Sequence, residues 1–347
     1  ANARMALAIE QTFGFPPATG FGLMAFVSAS LGEEQPLIDG ELLGRGREPS
    51  EPGRDAVTNT GDVVVPICAR QSGVWLRMLL GAPTSAAGKA ARGTITFSAQ
   101  PVNNATISIG GQAFTFVTGT PTANQIQIGA TLPATVANAV RALNASAVTG
   151  VAAATYRQND RGNAILIQHD ALGVSGNSFA IEAGDTPASN ATASGATLAG
   201  GAASGGYRHT FTSGAAVLPS ASIELQHPEV PAFNMNYGVK ANTLGVQMQR
   251  GGNLTATLGL IAQGESVATA SAAGTVAAEM AVARFSQFSG SVLRYGVPIA
   301  DLVSGQFNLS NGLDPVPAIR SDGRVSGIDE GALALTGQIG VRYSGPE

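Results

Sequence analysis

Three imidazoles, His169, His209 and His227, and one thiol, Cys68, are the side chains of this 347-residue chain best suited to nucleophilic, acid–base or metal chemistry near neutral pH. A zinc centre needs several nitrogen and sulfur ligands at short spacing, and these four residues cannot supply it from Cys and His alone. A Ser-His-Asp triad would need a nucleophile on a sharp strand-to-helix turn, and no such elbow pattern occurs. The segment Gly81-Ala-Pro-Thr-Ser-Ala-Ala-Gly88-Lys89 has six residues between its glycines where a phosphate loop has four. Ala90 also stands where a hydroxyl would reach magnesium, so a linker is expected. The acid pairs Glu224/Glu229 and Asp329/Glu330 are expected in solvated turns. No catalytic residue, metal set or cofactor site is predicted, and the chain is not expected to be an enzyme.

Composition points the same way. Charged residues make up 12% and the net charge is −4, with scattered arginines and only two lysines, so no basic groove for nucleic acid can be drawn. A single cysteine excludes an intrachain disulfide framework, and Cys68 is expected as a small buried residue. The most apolar early stretch, Phe21–Leu31, is far shorter than the ~20 residues of a membrane span. No charged-then-apolar leader is visible, and synthesis in the cytoplasm is expected.

Strand patterns dominate. Leu244, Val246 and Met248 alternate with Gly245, Gln247 and Gln249; beyond Gly251-Gly252, Leu254, Ala256, Leu258 and Leu260 alternate with Thr255, Thr257 and Gly259. Two period-2 runs around Gly-Gly predict a β-hairpin. Leu333, Leu335, Ile339, Val341 and Tyr343 keep one parity along a closing strand, with Gly337 marking a bulge or close approach. Shorter strands are predicted at 222–226, 291–295 and 306–310. Helices are few: Val74–Leu80, stopped by Gly81, and Thr131–Asn144, with Thr131 as N-cap and Pro133 in the first turn.

Residues 93–200 read as an inserted α+β domain, opening at Gly93–Ser98 and closing in the glycine run 199–206. Residues 1–92 and 201–347 form its discontinuous, nearly all-β host. Eight of the 23 acids crowd into 32–62, beside Arg45, Arg47 and Arg54. This long acidic stretch is expected to be a loop without regular structure, either solvated or docked on a neighbouring copy. Arg45, Arg47, Glu48, Glu51, Arg54 and Asp55 are its inter-subunit candidates.

Four stretches carry a resemblance: 37–43 leading to Thr60-Gly-Asp-Val-Val-Val-Pro66; Gly73-Val-Trp-Leu-Arg-Met-Leu-Leu-Gly81; 207–214 with 218–224; and 288–296 with 307–312 through the closing strand. Together they resemble the major tail tube protein of long-tailed bacteriophages, over nearly the whole chain. The insert resembles Gly-Thr-Ile-Thr-Phe modules of phage virion proteins. The resemblance implies a mainly β, sandwich- or barrel-like host with a short flanking helix. It implies a structural virion protein, made in a bacterial host, that closes into hexameric rings and stacks them helically into a conduit for DNA ejection. Implied partners are other copies of the chain and the tape measure, terminator and distal tail proteins, with transient passage of DNA. Gln247, Gln249, Thr255 and Thr257 are the lumen-facing candidates, and the insert is expected to project outward as a decoration. Two other readings stand beside this one: another tail ring protein, or a secreted β-rich adhesin or carbohydrate-binding protein.

Overall fold

Seventeen residues of continuous strand, Ala232–Met248, organise the first of two units into which the chain divides. That unit comprises Ala1–Pro83, Phe211–Gly290 and Leu302–Glu347; the second comprises Thr84–Thr210 and Ser291–Asp301. The computed structural model describes residues 2–39, 51–286, 290–299 and 302–342. The front half of the long strand pairs antiparallel with Ala221–His227 and Gly264–Ala268. Its rear half pairs with Thr255–Ala262 and Leu302–Ser310. Gly238, at φ +62°, and a register shift between Ala241 and Thr243 lie where the strand changes partners. Such irregularities bend a strand and increase its twist. A Cβ on Gly238 would lie 2.7 Å from that of Gln263, so the bend leaves room only for glycine.

Two strand groups result. One runs from Gly22–Met24 through Arg4–Ile9 and Ala221–His227 to the front of the long strand and Gly264–Ala268. The other runs from Ala334–Val341 through Leu302–Ser310, the rear of the long strand and Thr255–Ala262 to Thr58–Pro66. The short strands Ser28–Ala29 and Gly32–Glu34 close that last border. Both groups feed one core, in which Met5, Leu7, Ile223 and Val239 meet Val63, Val246, Leu258 and Leu260. Helix α1 (Ser72–Leu80) packs Trp75, Met78 and Leu79 into it, and Gly81 at φ +91° ends the helix with its N–H on Arg77 O. The protein is mainly β, as its alternating patterns imply.

The second unit joins a sheet built on Thr84–Phe97 to a four-stranded sheet through Gln125–Gln127, Gln112–Val117, Thr106–Ile109 and Ile181–Ala183. Helix α2 (Leu132–Asn144) buries Val136, Val140 and Leu143 against them, and the Thr131 hydroxyl accepts the Ala134 N–H at 3.3 Å. Phe97 and Phe116 meet edge to face in its core.

Four details depart from expectation. The strand that opens the second unit begins at Thr84, and the glycine run 199–206 reaches into its partner strand, Ala202–Thr210. Glycine's access to positive φ, seen at Gly205, lets that run bulge and still pair. Residues 291–295, expected as a strand beside the host, contribute only Leu293–Arg294, paired with Val297–Pro298 inside the second unit. Val297 is buried in that unit's core, and Asn144 and Gln158 hydrogen-bond the Tyr295 and Gly296 backbones. The 32–62 stretch is strand at both ends, Gly32–Glu34 pairing with the start of Thr58–Pro66. Its acid Glu33 is held within the chain by both arms of Arg324, at 2.9 Å each. Finally, Glu224 is fully buried, accepting from Gln226, Ser271 and the Ala272 N–H, instead of sitting in a solvated turn.

Candidate assembly site

Cross-strand register turns the second strand group into a surface with two distinct faces. Val63, Leu258, Leu244, Leu309 and Leu335 oppose one another in a row across five strands. Their burial fades along the row, from 0% exposed at Val63 and Leu258 and 9% at Leu244 to 66% at Leu335. The closing strand therefore carries the core-side face of the sheet past the residues that cover it. Ile339 and Val341, of the same parity, are each 54% exposed. The strand pairs with Leu302–Ser310 on one side, and among the described residues its other border has no strand partner. A long, apolar, unpaired border is a template for pairing with another chain.

The opposite face is polar. Thr336, Asn308, Gly245 and Thr257 form one row, and Gln338, Gln306 and Gln247 the next. Gln247, Gln249, Thr255 and Thr257 all line a single groove of about 580 Å³ on this face. The groove also takes in Asp62, Asn308 and Ser310; among the described residues Asp62 is its one charged side chain, and none of them is a Lys or Arg. The two faces follow from period-2 alternation, because a strand that is apolar on one side presents its amides and hydroxyls on the other.

The acidic candidates are distributed differently. Glu51, Arg54 and Asp55 are exposed, and Gly53–Arg54 pairs with Leu37–Ile38 in a two-stranded arm whose Leu37 is 64% exposed. Arg45, Arg47 and Glu48 lie outside the described residues. His209, read with the host, sits in the second unit, where its Nδ1 lies 2.7 Å from the Ser85 hydroxyl. His169 belongs to that unit too, and His227 ends a strand of the first. No group of three or more His, Cys, Asp or Glu placed to hold a metal occurs among the described residues. No helix among them is long and apolar enough to cross a membrane.

The fold is that of a mainly β protein. A family model described as phage tail tube protein matches residues 1–345, and the chain belongs to that family. It is thereby a structural component of the phage tail. A search of curated proteins finds no match to the chain.

Proposed function

We propose that copies of this chain join sheet border to sheet border into closed, hexameric rings, and that stacked rings form the tube through which DNA leaves the particle. The observation that carries this reading is the closing strand, whose outer border is unpaired among the described residues and whose Leu335, Ile339 and Val341 are exposed there. A heterologous contact that closes on itself makes a ring, and rings repeated along an axis make a tube. The polar face of the same strands then lines the lumen, with Gln247, Gln249, Thr255 and Thr257 toward the DNA. A wall whose described residues carry Asp62 and no cation holds phosphates weakly, which suits passage rather than storage. The exposed arm carrying Glu51, Arg54 and Asp55 meets a neighbouring subunit or ring, where opposite charges fix register more than affinity. Tape measure, terminator and distal tail proteins contact the ends and interior of the assembly, and no reaction is catalysed.

The test is Leu335→Asp combined with Ile339→Asp. Both side chains are exposed in the single chain, so the variant keeps its circular dichroism and unfolding midpoint. Electron microscopy is expected to show no rings or tubes. Tubes of normal length and yield from the folded variant refute the border contact.

A further inference from the structure

The second unit carries a groove of about 510 Å³ whose composition is unlike the rest of the chain. Lys89, Arg92 and Arg208 line it together with Tyr207, and among the described residues none that line it is an acid. Of the two lysines in the sequence, the other, Lys240, is buried against Glu330. Here Lys89 and Arg92 are exposed, and among the described residues none of the three cations takes part in an ion pair. One Arg208 nitrogen donates to the Asp170 carbonyl at 2.6 Å, which orients the guanidinium and leaves its other N–H groups available.

The backbone builds this site. Between the pairs Ala202↔Lys89 and Tyr207↔Ala87, five steps along one strand oppose two along the other. The excess forms a bulge over Lys89. Gly205, at φ +84°, brings the chain so close that a Cβ there would lie 3.2 Å from Lys89 Cε. Gly88, at φ +121°, would bring a Cβ within 2.8 Å of the Ala202 carbonyl. Glycines at both positions thus let the bulge lie against the lysine side chain, which lines the groove. Tyr207, 74% exposed, stacks in parallel on His209 with ring planes 9° apart, which fixes an aromatic face at the same mouth.

We infer that this groove binds an acidic saccharide, with the sugar's C–H face on Tyr207 and its carboxylate or phosphate between Lys89, Arg92 and Arg208. The volume is that of a small-ligand site. Converging cations answer a compact anion, and arginine in particular matches the two oxygens of a carboxylate or phosphate. Single-stranded nucleic acid fits less well, because it needs a basic track several phosphates long and successive stacking rings. This groove has one exposed ring and ends within a few residues.

Calorimetric titration of the full chain tests the inference with four probes: tetragalacturonate, glucose 6-phosphate, neutral maltotetraose and a twelve-residue oligothymidylate. At least one of the two acidic probes is expected to bind, the better one telling carboxylate from phosphate recognition, and maltotetraose is not. Lys89→Ala with Arg92→Ala is expected to weaken the acidic probe tenfold or more, and Tyr207→Ala severalfold. Lys89→Glu serves as the second variant should the double one unfold. Failure of both acidic probes at millimolar concentration overturns the inference. So does equal binding of maltotetraose, unchanged affinity in the folded Lys89 variants, or oligothymidylate binding tighter than either acidic probe.

Discussion

Lys240 sits on the long strand with 6% of its surface exposed, and its ammonium reaches Glu330 at 2.6 Å and the Ile328 carbonyl at 2.8 Å. Burial by itself would raise the Glu330 carboxyl, but hydrogen bonds from Lys240 and from the Leu218 N–H outweigh it and hold the group below its ordinary value. A carboxylate depressed in the folded state adds stability above its unfolded value, and that stability is lost as the pH falls through the folded value. Glu330→Gln is therefore expected to flatten the acid side of the stability profile. At pH 7 it should cost about 2–4 kcal/mol, because the lysine stays buried without its counter-charge. Denaturant unfolding at pH 7 and pH 4 checks both parts. An unchanged midpoint at pH 7, or an acid slope identical to that of the parent, would show that the pair does not stabilise. The sequence places Glu330 beside Asp329 and reads as a solvated turn; only the fold brings Lys240 to it from ninety positions away.

At the scale of elements, the hairpin from 244 to 260 is legible because its two faces alternate without interruption. The same alternation marks Leu335, Ile339 and Val341 as one side of the closing strand. It cannot say that none of the described residues covers them. If the polar face lines a lumen, adding cations there should slow DNA without disturbing the rings. Gln247→Lys with Thr257→Lys is expected to leave tubes of normal appearance while DNA release from particles slows severalfold, most strongly at low salt, where phosphate attraction is least screened. Release at the parental rate across salt concentrations would move the lumen to another surface. Both positions are exposed and border a groove without other cations among the described residues, so the substitution tests the face and not the fold.

At the scale of the molecule, the second unit enters and leaves through neighbouring strands: Thr84 and Thr210 are cross-strand partners. Their Cα atoms are thus about 5 Å apart, close enough for a two- or three-residue turn to bridge. We expect replacement of Thr84–Thr210 by Gly-Asn-Gly to leave rings and tubes intact in electron micrographs. Absence of rings from a folded excised chain would make the second unit part of the assembly. The excision must also remove the 291–301 return, since Val297 is buried in the second unit's core and would be left bare.

Periodicity and punctuation in the sequence were enough to determine a mainly β chain, two helices and their caps. Those features depend on neighbours within a few residues: Thr131 over Ala134, Gly81 after Leu80, leucines every second position. Tertiary structure alone decided where the second unit begins and that 291–301 returns to it. It also paired Glu33 with Arg324 and Glu330 with Lys240, left Leu335, Ile339 and Val341 exposed among the described residues, and gathered Lys89, Arg92, Tyr207 and Arg208 around one groove. Each of these is a meeting of residues far apart in the chain, set by strand register and bulges. Local pattern holds no record of register, because the same alternation pairs equally well two residues further along.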